Sequence, residues 1–245
     1  MMSNPLPYLI LSDIHANQEA LQAVLADAEG QYDHILCLGD LVGYGADPNA
    51  VVEWARDHAR VVIRGNHDRA ATISDPMENF NPAARSSTQW TRGALTPANR
   101  EFLERLPRGP LPHDDFDLVH GSPLDEDEYL ISLTDVSMLR DELSTQLTFF
   151  GHTHRQGGFL LTRREAALIR PDLPLTIEPD YRYLVNPGSV GQPRDGDPHA
   201  AYALYSPANR TVEFRRVAYD IDRAAAKIQA AGLPDYLAAR LFEGL

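Results

Sequence analysis

The sequence has almost no cysteine and no long hydrophobic run. Cys37 is the single cysteine among 245 residues, so no disulfide can form within the chain. It lies in the apolar stretch 34–38, and we interpret it as a small packing residue rather than a catalytic thiol. The longest apolar runs have only a few residues, far short of the roughly 20 that a membrane-spanning helix needs. We therefore expect no membrane contact.

An excess of positive charge and a targeting signal are also missing. The formal net charge is −13, which disfavours a surface for nucleic acid or anionic lipid, because both attract basic residues. An acidic protein that acts on phosphate esters needs local positive charge, and bound metal ions are one source. Residues 1–7 show no basic segment followed by an apolar run, so we expect no signal peptide and a cytoplasmic location.

The first third of the chain alternates predicted strands and helices. Apolar stretches at residues 8–11, 34–38 and 60–64 predict buried strands, and the segments between them have the spacing of amphipathic helices. The β-α-β-α-β order predicts a parallel sheet. Helices are predicted to start after the capping residues Asn17, Asp47, Asn81 and Thr96.

The rest of the chain changes from helix to strand. Residues 70–110 are predicted to be mostly helical, and another helix is predicted over residues 135–143. Strands dominate later, with a proline-rich link between predicted strands at 158–162 and 183–185. There is no repeat and no break in composition, so we expect a single domain over residues 1–245.

Polar side chains follow five predicted strands, the last two of which span residues 116–119 and 147–150. At residues 65–68 the third strand is expected to pass into a loop that carries an amide, an imidazole and a carboxylate. Because ligands of open α/β sheets bind beyond the carboxyl ends of the strands, we expect these side chains to converge. They are Asp13, His15, Asp40, Asn66, His67, His120, His152 and His154.

The types of these residues indicate a metal site. A lone histidine after a strand is more often a structural residue, and carboxylates there often cap helices, but five such strand ends together favour a common site. Oxygen and imidazole donors without thiolate suit Mn²⁺, Fe, Co²⁺, Ni²⁺ or Zn²⁺. The set exceeds what one ion with open positions needs, whereas two ions about 3.5–4 Å apart with a carboxylate between them would use it.

With these segments in order, the sequence resembles the calcineurin-like metallophosphoesterase superfamily. The matching blocks are residues 13–15, 39–40, 65–68, His120 and 151–154, and the later Asn186-Pro187-Gly188-Ser189 is similar to the compact bacterial and archaeal phosphodiesterase branch. The resemblance implies an α/β fold, a four-layer α-β-β-α sandwich of two mixed sheets flanked by helices. It also implies a dinuclear metal site at the strand C-terminal ends.

The resemblance further implies a role for each residue. The ligands divide into Asp13, His15 and His154 for the first ion, Asn66, His120 and His152 for the second, and Asp40 as the bridge. His67 matches the family's catalytic histidine, and Asp68 is a possible orienting partner. We expect two divalent ions, with Mn favoured and Fe, Zn, Ni or Co as alternatives.

The implied chemistry is hydrolysis of a phosphate ester. Two divalent ions neutralise the phosphate oxygens and lower the pKa of a bound water, which gives a hydroxide for in-line attack. His67, as imidazolium, would protonate the leaving alkoxide, a contribution of typically about 10²–10⁴ in rate.

One block departs from a branch of the superfamily. Its phosphoprotein phosphatases follow Gly-Asp with an Asp-Arg-Gly triplet whose arginine grips phosphate, and residues 41–45 lack both charged residues. Protein phosphatase activity is therefore disfavoured. Tyr44 in this loop could stack a nucleoside base or pack locally. Arg194 could bind phosphate, or pair at the surface with Asp195 or Asp197.

We therefore predict a metal-dependent phosphoesterase, in particular a phosphodiesterase on small or nucleotide-type phosphate esters. The alternative within this class is a symmetrical dinucleoside polyphosphate (diadenosine tetraphosphate) hydrolase. The alternative from another class is a non-catalytic metal-binding interaction scaffold with the same fold, which the complete ligand set and His67 disfavour. Nucleic acid is a disfavoured partner, and the sequence leaves the oligomeric state open.

Overall fold

The computed structural model describes residues 6–73 and 77–245. The helices are α1 (Gln18–Asp27), α2 (Pro48–His58), α3 (Asn66–Thr72), α4 (Pro82–Ala94), α5 (Pro97–Glu104), α6 (Leu133–Met138), α7 (Ile221–Ala230) and α8 (Asp235–Ala239). The strands are β1 (Tyr8–Leu11), β2 (His34–Cys37), β3 (Val61–Val62), β4 (Leu111–His113), β5 (Phe116–Leu118), β6 (Leu147–Phe149), β7 (Gly157–Leu161), β8 (Ala166–Ile169), β9 (Leu175–Thr176), β10 (Arg182–Asn186), β11 (Ala200–Ser206) and β12 (Thr211–Val217).

The strands form two six-stranded mixed sheets that face each other. The first has the order β3-β2-β1-β11-β12-β9 and the second β4-β5-β6-β10-β7-β8. Within the first sheet β1, β2 and β3 are parallel, as predicted, and β1 also pairs antiparallel with β11. In the second sheet β6 lies parallel to both β5 and β10. The carboxyl ends of the parallel strands of both sheets lie at the same edge of the sandwich.

Burial of apolar side chains holds the layers together. Ile10 and Leu36 from the first sheet pack against Phe116, Phe149 and Tyr183 from the second, and all five are almost completely buried. Residues of α1 and α2 cover the outer face of the first sheet, and α6 packs against β7 and β8 on the outer face of the second. The predicted four-layer sandwich of two mixed sheets flanked by helices is thus confirmed.

Several local predictions hold and others do not. The side chains of Asn17, Asn81 and Thr96 accept the expected capping hydrogen bonds. Asp47 precedes α2 as predicted, but its carboxylate makes no cap and binds Lys227 at 2.7 Å. The helix predicted over residues 135–143 begins two residues earlier, because Ser132 and Asp135 form a capping box, and it ends at Met138.

Two further differences concern segments without a clear pattern. The loop predicted at residues 65–68 is the first turn of α3, which begins at Asn66. The proline-rich link before β10 contains the short strands β8 and β9. None of the helices built from residues 6–73 and 77–245 is both long enough and hydrophobic enough to span a membrane.

Candidate metal centre

The strand ends bring all the polar side chains predicted from the sequence together. They come from the loops after β1, β2, β5 and β6 and from the first turn of α3, and none is more than 6% exposed. Two groups of side chains could each hold a metal ion, because within each group the candidate ligand atoms all lie within 4.8 Å of one another. The first is Asp13, His15 and His154, and the second is Asp40, His120 and His152.

In the first group the hydrogen bonds fix which imidazole nitrogens have lone pairs. His15 Nδ1 lies 2.9 Å from the Val42 carbonyl, and His154 Nδ1 lies 2.5 Å from the Gln192 carbonyl. A carbonyl only accepts, so both Nδ1 atoms carry hydrogen. Burial lowers the pKa of both rings well below the usual value, so they are neutral and each Nε2 has a lone pair.

These lone pairs point at each other. His15 Nε2 and His154 Nε2 are 3.0 Å apart, and Asp13 Oδ1 lies 3.4 Å from His154 Nε2. Three acceptors that face one another without a proton between them repel, and a cation at their centre removes the repulsion. The donor set therefore fits a divalent metal ion, and the carbonyl bonds orient both rings toward it.

The second group is arranged in a similar way, except that His120 also carries a proton on Nε2 when no cation is bound. His120 Nδ1 donates to the Leu38 carbonyl at 2.7 Å, and its Nε2 faces Asn66 Oδ1 at 3.2 Å and Asp40 Oδ2 at 3.4 Å. His152 Nε2 donates to the Asp127 carbonyl at 3.1 Å, which leaves the lone pair of Nδ1 available to bind a metal ion. Burial lowers the pKa of His120, but the nearby Asp40 carboxylate outweighs burial and raises it to about 10.

Asp40 lies between the two groups. Its Oδ2 is 3.6 Å from His15 Nε2 and 3.4 Å from His120 Nε2, and within the described residues it has no hydrogen-bond partner. Its Oδ1 accepts the backbone N–H of His67 at 2.8 Å. A Cβ on Gly65 would lie 2.1 Å from that Oδ1, so only glycine leaves room for the carboxylate. A buried carboxylate oxygen that lies within 3.6 Å of a histidine from each ligand group fits a bridge between two cations.

The backbone at these ligands is unusual. Asp13, His15, Asp40, His152 and His154 all have positive φ angles, between 49° and 65°. Such angles are uncommon outside glycine and cluster at functional sites, where the surrounding fold holds them. In this way successive side chains of each loop turn toward the same point.

Asp68 does not orient His67, contrary to the expectation. Its buried carboxylate accepts the backbone N–H groups of Asp40 at 2.8 Å, Val42 at 3.2 Å and Gly65 at 3.0 Å. The reason is that α3 begins at Asn66, which puts Asp68 in the third helical position, where an acidic side chain reaches back to the N-cap. Asp68 therefore joins α3 to the loop after β2.

The partner of His67 is Tyr44. Its hydroxyl lies 3.1 Å from His67 Nε2, and the ring of Phe80 packs on His67 with centroids 4.6 Å apart. Burial lowers the pKa of His67 to about 4, so the ring is neutral at pH 7. The other nitrogen, Nδ1, faces Gly43, where a Cβ would lie only 2.5 Å away.

Tyr44 has no free face for a nucleoside base. Its ring packs against His15 and His67 with centroids 4.6 and 4.5 Å away, and the guanidinium of Arg194 lies 5.5 Å from its centre. Only 5% of the residue is exposed. The idea that Tyr44 stacks a base is therefore wrong, and local packing with a hydroxyl directed at His67 is what the structure contains.

Arg194 does not pair with either of the acidic residues proposed for it. Asp195 binds Arg216 instead, and Asp197 lies 3.7 Å from the same Arg216. Arg194 donates to Gln192 Oε1 at 3.1 Å, while its buried Nε has no hydrogen-bond partner among the described residues. The surface interpretation is thus excluded, and a cationic side chain lies beside the two ligand groups.

A cavity of about 240 Å³ opens next to these residues. Its wall includes Asn66, His67, His152 and Arg194 from the predicted site, together with Tyr44, Arg69, Met77, Glu78, Asn79, Phe80, Asn81, Ala84, Asp127 and Tyr129. The sequence did not identify Phe80, Asp127 or Tyr129 as part of the site. The signal in the sequence for the last two was the acidic run at residues 125–128, which contains Asp127 and directly precedes Tyr129.

Comparison with known proteins gives the same family. A family model described as the calcineurin-like phosphoesterase superfamily domain matches residues 6–210. An uncharacterized protein of Methanocaldococcus jannaschii is 36% identical over 243 residues, which cover 96% of this chain and 97% of that protein.

Solved structures agree in fold. A metallophosphoesterase from Sphaerobacter thermophilus superposes with a TM-score of 0.87 at 38% identity, over 99% of this chain and 100% of that one. A hypothetical protein from Pyrococcus horikoshii OT3 gives 0.79 at 20% identity, over 98% and 99% of the two chains. The chain belongs to the calcineurin-like phosphoesterase superfamily, and it is a metallophosphoesterase with a site for two divalent ions.

Proposed function

We propose that this protein is a metal-dependent phosphodiesterase that acts on small or nucleotide-type phosphate esters. The observation that carries the proposal is the pair of buried ligand groups with the Asp40 carboxylate between them. They lie beside a cavity whose wall includes two of the ligands, Asn66 and His152, together with His67 and Arg194. Seven side chains would hold the two ions, with Asp40 between them. They are Asp13, His15, Asp40, Asn66, His120, His152 and His154.

Arg194 and His67 have further roles in ester hydrolysis. The two metal ions, when bound, would neutralise the charge of the phosphate and lower the pKa of a water molecule. Arg194 binds phosphate oxygens that face away from the ligand groups, because its Nε–H has no hydrogen-bond partner among the described residues. His67 donates a proton to the leaving oxygen as the P–O bond breaks. An anionic phosphate raises the pKa of a neighbouring imidazole, so substrate itself favours the protonated ring.

The cavity wall supports an organic substituent on the phosphate. Phe80 and Tyr129 add aromatic surface, and Asn79 supplies an amide that can hydrogen-bond a polar ring. An aromatic wall with a few polar groups favours a planar ring such as a nucleobase or a phenol. The loop after Asp40 has no arginine to grip a phosphoprotein, which agrees with a small substrate.

A substrate panel tests this proposal. Bis(p-nitrophenyl) phosphate, p-nitrophenyl phosphate, cyclic nucleotides and diadenosine tetraphosphate are each incubated with the protein and Mn²⁺, with and without EDTA. We expect the diesters to be hydrolysed fastest and EDTA to abolish turnover. Faster symmetrical cleavage of diadenosine tetraphosphate would select that activity instead, and no EDTA-sensitive turnover of any ester would favour a non-catalytic scaffold.

Arg194→Gln is expected to weaken substrate use while the metal content stays at two ions per chain. A hydrogen bond to a charged group contributes about 1.5–3 kcal/mol, so kcat/KM should fall about 10- to 100-fold, mostly through KM. Steady-state kinetics on the best diester measure the change. Arg164→Gln, at an exposed position away from the site, is the matched control and should behave like the wild type. An unchanged KM in Arg194→Gln would remove Arg194 from substrate binding.

A further inference from the structure

The acidic run Asp125-Glu126-Asp127-Glu128, called here the acidic loop, has no task in the chemistry described above. One of its side chains is not solvated: Glu126 is only 6% exposed. Its carboxylate accepts two hydrogen bonds from Arg64 Nη2, at 3.0 and 3.1 Å, and another from Arg69 Nη1. A buried carboxylate held by two arginines is a rigid anchor, because removal of its charge leaves both cations without this partner.

The anchored loop contacts a predicted metal ligand. The carbonyl of Asp127 accepts the Nε2–H of His152 at 3.1 Å, and this bond keeps the Nδ1 lone pair of His152 available. The side chain of Asp127 accepts hydrogen bonds from Arg69 Nη2 at 2.9 and 3.1 Å. The ring of Tyr129 lies over the imidazole of His152, with centroids 3.9 Å apart and planes inclined by 31°.

The same arginine connects this loop to a second ligand. Arg69 is part of α3, whose first residue is Asn66. One network therefore ties together His152 and Asn66, both assigned to the second ion. The rings of the first ion, His15 and His154, are oriented instead by the carbonyls of Val42 and Gln192, which lie outside the acidic loop.

We propose that Glu126 is a positioning residue that sets the metal affinity of the second site. It acts through Arg64 and Arg69, which hold the acidic loop so that the Asp127 carbonyl and the Tyr129 ring fix the orientation of His152. The inference rests on the proposed function in that it requires the two-ion site. Different contacts orient the ligands of the two ions, so the affinity of one site can be lowered without changing that of the other.

Titration calorimetry with Mn²⁺ on the metal-free full chain tests this. In the wild type two binding events are expected, and His15→Ala and Asn66→Ala assign them to the first and second sites. Glu126→Gln should weaken the second-site Kd about 10- to 100-fold, the usual effect of losing support for a ligand, and should leave the first-site Kd unchanged. Glu101→Gln, which removes an exposed ion pair with Arg105, is the control with no expected change.

Two further measurements keep the test decisive. If Glu126→Gln does not fold, Asp127→Asn takes its place, since that side chain is 31% exposed and the substitution removes the negative charge that binds Arg69 Nη2. In the Zn²⁺-loaded protein, long-range ¹H–¹⁵N spectra of the imidazoles should show His152 losing its single tautomer in the variant. Equal weakening of both sites, or no weakening of either, would overturn the inference. A wild type that binds no Mn²⁺ would overturn the proposed function with it.

Discussion

Asp40→Ala is expected to lose bound metal and hydrolysis together. The carboxylate lies between the two ligand sets, 3.6 Å from His15 Nε2 and 3.4 Å from His120 Nε2. Without it, two divalent cations a few ångströms apart repel each other with little between them to offset the charge. Loss of several kcal/mol of stabilisation in the transition state corresponds to a fall in kcat/KM of about 10³-fold or more.

Metal content by inductively coupled plasma mass spectrometry and diester kinetics measure the two losses on the same sample. Because Asp40 Oδ1 also accepts the His67 N–H, a thermal melt must show that the variant is folded. Asp47→Ala removes a carboxylate paired with Lys227 outside the site and should retain both ions and activity. Two tightly bound ions in folded Asp40→Ala would show that the bridge is not needed for binding.

His67→Ala is expected to retain both ions and to lose activity in proportion to the basicity of the leaving group. An alkoxide needs a proton as it departs, so esters of aliphatic alcohols should be hydrolysed about 10²- to 10⁴-fold more slowly. A p-nitrophenolate leaves without a proton, so bis(p-nitrophenyl) phosphate should lose much less. Tyr44→Phe removes the hydroxyl that contacts His67 Nε2, and the variant should show the same dependence on the leaving group with a smaller loss of activity.

Paired kinetics on an alkyl and a p-nitrophenyl diester make the comparison, and His58→Ala, at the end of α2, serves as the control. Equal losses on both esters would mean that His67 contributes to binding rather than to proton transfer. Full activity of His67→Ala on the alkyl ester would remove the residue from the mechanism.

The sequence was sufficient to predict that the metal ligands converge, but not to predict the hydrogen bonds that they make. Residues after parallel strands meet at one edge of a sheet whatever the intervening chain does, so Asp13 and Asp40, which follow β1 and β2, could be brought together across 27 positions of sequence. His154 follows β6 of the second sheet, and its approach to Asp13 was implied by the family resemblance. The tautomer of each histidine depends on which backbone carbonyl lies behind it. Contacts such as His154 with Gln192 form only after the sheets have packed, and no local pattern encodes them.

The contacts of Asp68, and the choice between the two interpretations of Tyr44, could not be predicted for a similar reason. A shift of one element, from a loop to a helix that begins at Asn66, redirects the Asp68 side chain from its neighbour to the backbone of another loop. Tyr44 was judged by its place in a glycine-rich loop, but its surroundings come from β1, α3 and the segment after β10. Burial of Glu126 was hidden for the same reason, since its arginines lie about 60 positions away in sequence.

The left-handed backbone at five of the seven predicted ligands narrows what mutation can do at these positions. Aspartate and histidine are among the few residue types, besides glycine and asparagine, that adopt this conformation readily, whereas a β-branched or bulky replacement is strained. Such a replacement at these positions therefore costs folding stability in addition to removing a metal ligand. A duplicate gene released from selection for catalysis would be expected to keep Asp, His, Asn or Gly at these sites for longer than at the rest of the cavity, including Arg194.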